Sequence, residues 1–172
     1  MNYDTLLTIF GLPLDDSLTK SVIGALSETP EEDISKWGGY ISFMQSGISI
    51  LIELKCPSCH RPCHRHRVDL RRHPQKVVSA IFLSAAGWEG FGQFAGTLPF
   101  GLQFGASIAD GLKQAGTPLR IQTQPVDPSI LKEYPFEKRT IHSYRIADLS
   151  CHLTYGKENT LVQVQLHFPF EE

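Results

Sequence analysis

The sequence predicts an α+β fold, a largely antiparallel sheet carrying short helices, and three observations predict it. Two segments have the cap, apolar face and Gly/Pro stop of short amphipathic helices. Six segments alternate or run apolar with β-branched residues. Short turn-forming stretches separate several of these, as hairpins require. Residues 1–172 read as one domain, long enough to bury a core without disulfide staples.

Taken in order, residues 3–10 (YDTLLTIF) form a short helix ended by Gly11 and Pro13. Ser17 caps a second helix to Ser27, with Leu18, Val22 and Leu26 inward, and an acidic connection follows from Thr29 to Asp33. Residues 39–44 and 48–55 are strands, with Gln45-Ser46-Gly47 as the hairpin turn between them. The stretch CPSCHRPCHRHRVDLRRHP suits no globular core. Residues 77–84 are the returning strand, which makes that stretch the long basic tip of a hairpin. Residues 85–106, rich in Gly and aromatics, form a loop that packs rings such as Trp88, Phe91 and Phe94 over the sheet.

The next helix is the most fully punctuated element. Ser107 accepts from an orphan N–H of the first turn, and Asp110 stands at the capping-box position. Ile108, Leu112 and Ala115 share its apolar face, and Gly116 and Pro118 stop it. Residues 117–138 hold four prolines and wander along the surface. Three strands close the chain: 141–147, 149–155 and 160–168, with Gly156 to Asn159 turning between the last two. His142, His152 and His167 fall on these strands and could converge on one face; alternation more often places such residues on a solvated face, and they are assigned no role.

A shift of 90 positions lays Gly11, Leu12, Ser17 and Ala25 on Gly101, Leu102, Ser107 and Ala115. Leu18 then falls on Ile108 and Val22 on Leu112, so cap and apolar face coincide. The chain therefore reads as two similar halves, roughly 1–95 and 96–172, each a capped helix followed by strands.

Apolar residues make up 41 % and charged residues 20 %, the balance of a soluble globular protein. No apolar run approaches the ~20 residues that cross a bilayer, and the first residues lack a basic region, so the cytoplasm is the expected location. The net charge of −2 hides a split. From Lys55 to Lys76 seven Lys/Arg face one acid, a local +6. Of the 16 basic and 18 acidic residues in all, 9 and 17 remain elsewhere, or −8. Such an asymmetry points to a charged partner.

Walker loops, G-x-S-x-G elbows, H-E-x-x-H and dinucleotide-binding glycines are all missing, and no pair of carboxylates is spaced as acid and base. The sequence therefore reads as a non-enzyme. Its chemically distinctive part is the tip. Cys56, Cys59 and Cys63 with His64 or His66 (His66 is preferred) can give one structural zinc three sulfurs and one nitrogen. The competing reading is a basic loop with free thiols and no cofactor. Arg61, Arg65, Arg67, Arg71 and Arg72 can grip carboxylates of a protein partner or phosphates of a nucleic acid. The tip has no aromatic side chain for base stacking, which favours a protein.

The segment FAGTLPFGLQFGASIADGLKQAGTP resembles a pattern of small bacterial immunity proteins encoded beside polymorphic toxins and type VI secretion effectors. Leu98, Pro99, Gly101, Leu102 and Phe104 carry its "LP-x-GL-x-F" part, and Ser107, Gly116 and Pro118 its capped helix and stop. GISILIEL (47–54) is similar to the strand that precedes it. The stop here lacks the usual Leu, and the Cys/His/Arg tip is no part of the pattern. The resemblance covers about half the chain and implies a cytoplasmic protein that occludes a cognate toxin. The alternative is a small zinc-dependent nucleic-acid-binding or regulatory domain.

Overall fold

The computed structural model describes residues 1–26, 39–54, 76–125, 138–156 and 158–168. In chain order they form α1 (Tyr3–Leu7), α2 (Ser17–Leu26), β1 (Gly39–Phe43), β2 (Ile48–Leu54), β3 (Lys76–Ser84), α3 (Ile108–Ala115), β4 (Arg120–Pro125), β5 (Lys138–Ile146), β6 (Leu149–Tyr155) and β7 (Leu161–His167). The strands make one antiparallel sheet in the order β1-β2-β3-β7-β6-β5-β4. This is the α+β class that the sequence predicts. Two meanders, β1 to β3 and β4 to β7, meet through their last strands.

Alternation along the strands decides the two faces. Ile48, Ile50 and Ile52 of β2, Ile81 and Leu83 of β3, Val164 and Leu166 of β7, and Cys151 and Leu153 of β6 belong to one buried cluster. Leu6 and Ile9 of the first helical segment, Val22, Ile23 and Leu26 of α2, and Ile108 and Ala115 of α3 join it. All three helices therefore cover the same face. Residues 11–14 fill the place beside β3 that β7 leaves open: Gly11 N–H donates to Val78 O at 2.9 Å and Leu14 N–H to Lys76 O at 3.1 Å.

The helix starts separate two capping chemistries. Ser107 accepts from Asp110 N–H at 3.1 Å while the Asp110 carboxylate accepts from Ser107 N–H at 3.0 Å, a complete capping box. On α2 the cap is Asp16, not the expected Ser17: its Oδ1 accepts from Leu18 N–H at 2.8 Å and Thr19 N–H at 3.3 Å. The buried face is Thr19, Val22, Ile23 and Leu26, leaving Leu18 44 % exposed instead of inward. In α3 the buried side is centred on Gly111, so Leu112 is 41 % exposed rather than part of the inward face.

The β1–β2 hairpin turns where expected, and Gly47 shows why. Its φ is +65°, and a Cβ there would strike the backbone of Gly92 to Phe94, so the turn lies directly on that loop. Residues 120–125, expected to wander, are instead the edge strand β4, paired with β5 from Arg120↔Ser143 to Pro125↔Lys138. The aromatic loop packs as expected: Trp88, Phe91 and Phe94 are buried, and the Phe100 ring meets that of Tyr144 at a tilt of 56°, centroids 5.4 Å apart.

Candidate functional site on the open face of the sheet

The face opposite the helices is polar, and strand register organises it into rows. One row runs from Ser42 on β1 through Ser49, Phe82, Gln165 and His152 to Ser143 and Arg120 on β4. At the β1 side Tyr40, 65 % exposed, meets Phe82 with ring centroids 5.5 Å apart. These rings and Phe91 line a groove of about 430 Å³ whose polar wall includes Gln163, Gln165, Glu89 and Arg139. Glu89 is held at φ +49°, in the left-handed region that costs a non-glycine residue roughly 1–2 kcal/mol. Loss of water around its carboxyl raises its pKa, and the Arg139 charge pulls the other way. Arg139 is steadied by Gln124, whose Oε1 accepts from Nε at 3.1 Å.

The centre of the face holds a hydrogen-bonded chain. Ser143 Oγ lies 2.8 Å from His152 Nδ1, His152 Nε2 lies 2.5 Å from His167 Nε2, and His167 Nδ1 lies 2.5 Å from Phe168 O. The two imidazole planes are 11° apart with centroids at 4.6 Å. Nitrogens this close are well inside the ~3.5 Å contact distance of stacked faces, so the rings meet edge to edge, nitrogen towards nitrogen.

The neutral chain has one consistent proton arrangement. A carbonyl oxygen only accepts, so His167 carries its proton on Nδ1 and accepts at Nε2. His152 then donates from Nε2, and Ser143 donates to His152 Nδ1. Burial lowers the His152 pKa to about 4, helped by His167 and by Arg120. Burial also lowers that of His167, opposed by its hydrogen bond to Phe168 O and by Glu53. Both rings are neutral at pH 7.

These histidines were expected on a solvated face without a role. His142 instead points into the core, fully buried, its ring 5.1 Å from that of Tyr155. His167 is buried and His152 half-buried on the other face, in the chain just described. Alternation in the sequence places both on the polar side of their strands, but their meeting depends on the β6–β7 register, which shifts at Thr154/Tyr155. The remaining site expectations, Cys56, Cys59, Cys63 and His64 or His66 for zinc and Arg61, Arg65, Arg67, Arg71 and Arg72 for a partner, lie outside the described residues. Among the described residues, no group of three or more His, Cys, Asp and Glu is placed to hold a metal, and no helix is long and apolar enough to cross a membrane.

Ser143 in a chain with histidine invites comparison with a nucleophilic serine, but its setting argues against acyl transfer. It is only 9 % exposed, and it sits mid-strand with β4 and β6 on either side, where backbone N–H groups serve the ladder. A developing oxyanion would lack the preorganised backbone donors that this chemistry uses. No protein-family model, curated protein or solved structure matches the chain.

Proposed function

We propose that this protein is an immunity protein that acts in the cytoplasm, binding a cognate secreted toxin and neutralising it by stoichiometric occlusion. The observation that carries the reading is the sheet face on which none of the described helices packs. It combines an aromatic pair, exposed Tyr40 and half-buried Phe82, with amides, Glu89 and Arg139 around it, the composition of an interface core and its polar rim. The resemblance of residues 94–118 to the immunity pattern supports the same reading. Arg61, Arg65, Arg67, Arg71 and Arg72 belong to the segment joined to β2 and β3, and they supply charge-assisted contacts to acidic groups of the toxin.

The test is a pull-down from the source bacterium with the purified chain as bait, followed by co-expression with the protein recovered. One stoichiometric protein whose toxicity the chain suppresses is the expected result. Tyr40→Glu, at an exposed position, should leave the fold intact and abolish that protection. Replacing the five arginines with Glu tests their part separately. Recovery of nucleic acid with one zinc per chain would overturn the reading in favour of a zinc-dependent nucleic-acid-binding domain.

A further inference from the structure

The groove beside Tyr40 and Phe82 holds two opposite charges that do not meet. Glu89 and Arg139 both line it, and the guanidinium acts on the carboxyl strongly enough to lower its pKa. Among the described residues, however, the two form no ion pair. The partner of Arg139 is Gln124, bonded through Nε, so both Nη groups keep their N–H donors for a carboxylate. Glu89 sits in a left-handed backbone conformation, the kind of strain that concentrates at ligand clamps. The hydroxyls at the β1 side are already engaged: Ser49 Oγ lies 3.1 Å from Ser42 Oγ and 3.2 Å from Ile41 O.

A lone anion in this groove would face Glu89, and a lone cation would face Arg139. A ligand that carries both signs answers both. The remaining walls are aromatic: the Tyr40 and Phe82 rings are tilted by 53°, and Tyr40 presents 65 % of its surface to solvent. A third ring laid against them gains the burial and edge-to-face contacts that aromatic groups favour. At about 430 Å³ the groove falls within the ~300–1,000 Å³ typical of small-molecule sites. We propose that it binds a free α-amino acid with an aromatic side chain, Arg139 holding the carboxylate, Glu89 the ammonium, and Tyr40 and Phe82 the ring. The ligand is a small molecule and its binding is measured with no other protein present, so this inference goes beyond the immunity reading and does not rest on it.

The experiment titrates L-phenylalanine, L-tyrosine and L-tryptophan separately into the ¹⁵N-labelled full chain at neutral pH. At least one should give saturable shifts of the Tyr40, Phe82, Glu89 and Gln165 amide signals. N-acetylphenylalanine lacks the ammonium and phenylalanine amide lacks the carboxylate, and each should bind at least tenfold more weakly than phenylalanine. Alanine, without the ring, should do the same. Arg139→Gln should weaken phenylalanine at least tenfold and leave the amide unaffected, while Glu89→Gln should stand in the same relation to the N-acetyl form. No saturable shift of the groove signals with any of the three amino acids would overturn the proposal. So would equal binding of phenylalanine and its two derivatives, which would show a ring resting on an apolar wall with the charges idle. Should a variant not fold, the derivative series on the wild type decides alone.

Discussion

The phenol oxygen of Tyr155 occupies the space that a side chain at residue 111 would need: a Cβ on Gly111 would collide with it. Helix α3 thus rests directly on β6 through a residue with no side chain, and that contact decides how close the helix lies to the sheet. Gly111→Ala should therefore destabilise the protein by about 1–3 kcal/mol, the usual cost of overpacking. Helix propensity alone predicts the reverse, a gain of about 1 kcal/mol. The shift of the urea midpoint gives the sign.

Asp16 and Ser17 make a matched pair for testing which residue caps α2. Asp16→Ala removes two hydrogen bonds from first-turn N–H groups and should cost about 1 kcal/mol. Ser17→Ala should stay within about 0.5 kcal/mol, as an exposed substitution away from such contacts. Equal losses in urea denaturation would contradict the assignment.

The capping box of α3 carries a pH signature. Hydrogen bonds from the Ser107 side chain and backbone hold the Asp110 carboxyl below its ordinary value of 3.8. Its contribution to stability is thus complete above that value and is lost as pH falls through it towards the lower folded value. The stability difference between wild type and Ser107→Ala should be constant near neutrality and narrow below about pH 4, where Asp110 becomes protonated. Denaturation midpoints measured across pH 6 to 2.5 follow this directly.

Cys151 is sealed in the core, and burial pushes its thiol up to about 12. Its thiolate is negligible at pH 8, so native protein treated with N-ethylmaleimide should yield an unmodified Cys151 peptide. The same treatment in urea should label it. Modification of the native chain within minutes would mean that β6 opens far more readily than its burial implies.

Much of the fold was legible because short-range chemistry specifies it. Ser107, Asp110 and Gly116 punctuate α3 within ten residues, and Leu149 to Tyr155 alternates cleanly enough to give β6 its observed bounds. What escaped depends on neighbours distant in sequence. β4 alternates Gln122 and Gln124 with Ile121 and Thr123, and as an edge strand it leaves even Ile121 exposed, so it shows little apolar signal. Leu18 and Val22 have helical spacing, but only the position of α2 on the sheet makes Thr19 the inward residue. At the site, the Gln163, Gln165 and His167 alternation marked a polar face. The meeting of His167 with His152 required the β6–β7 register, and the alignment of Phe82 with Gln165 required β3 to lie beside β7.

That pairing of β3 with β7 has a consequence in time. β3 ends at Ser84 and its inner neighbour begins only at Leu161, so a ribosome releasing the chain must add most of the second half before the centre can close. At about 5–20 residues per second this leaves β3 without its β7 neighbour for several seconds. Residues 11–14, already synthesised by then, can shield only its first three positions during that interval. The nascent protein therefore carries a strongly apolar strand, paired with β2 on one side and open on the other, until β7 emerges, and its yield in the cell depends on how well that edge is kept from other chains.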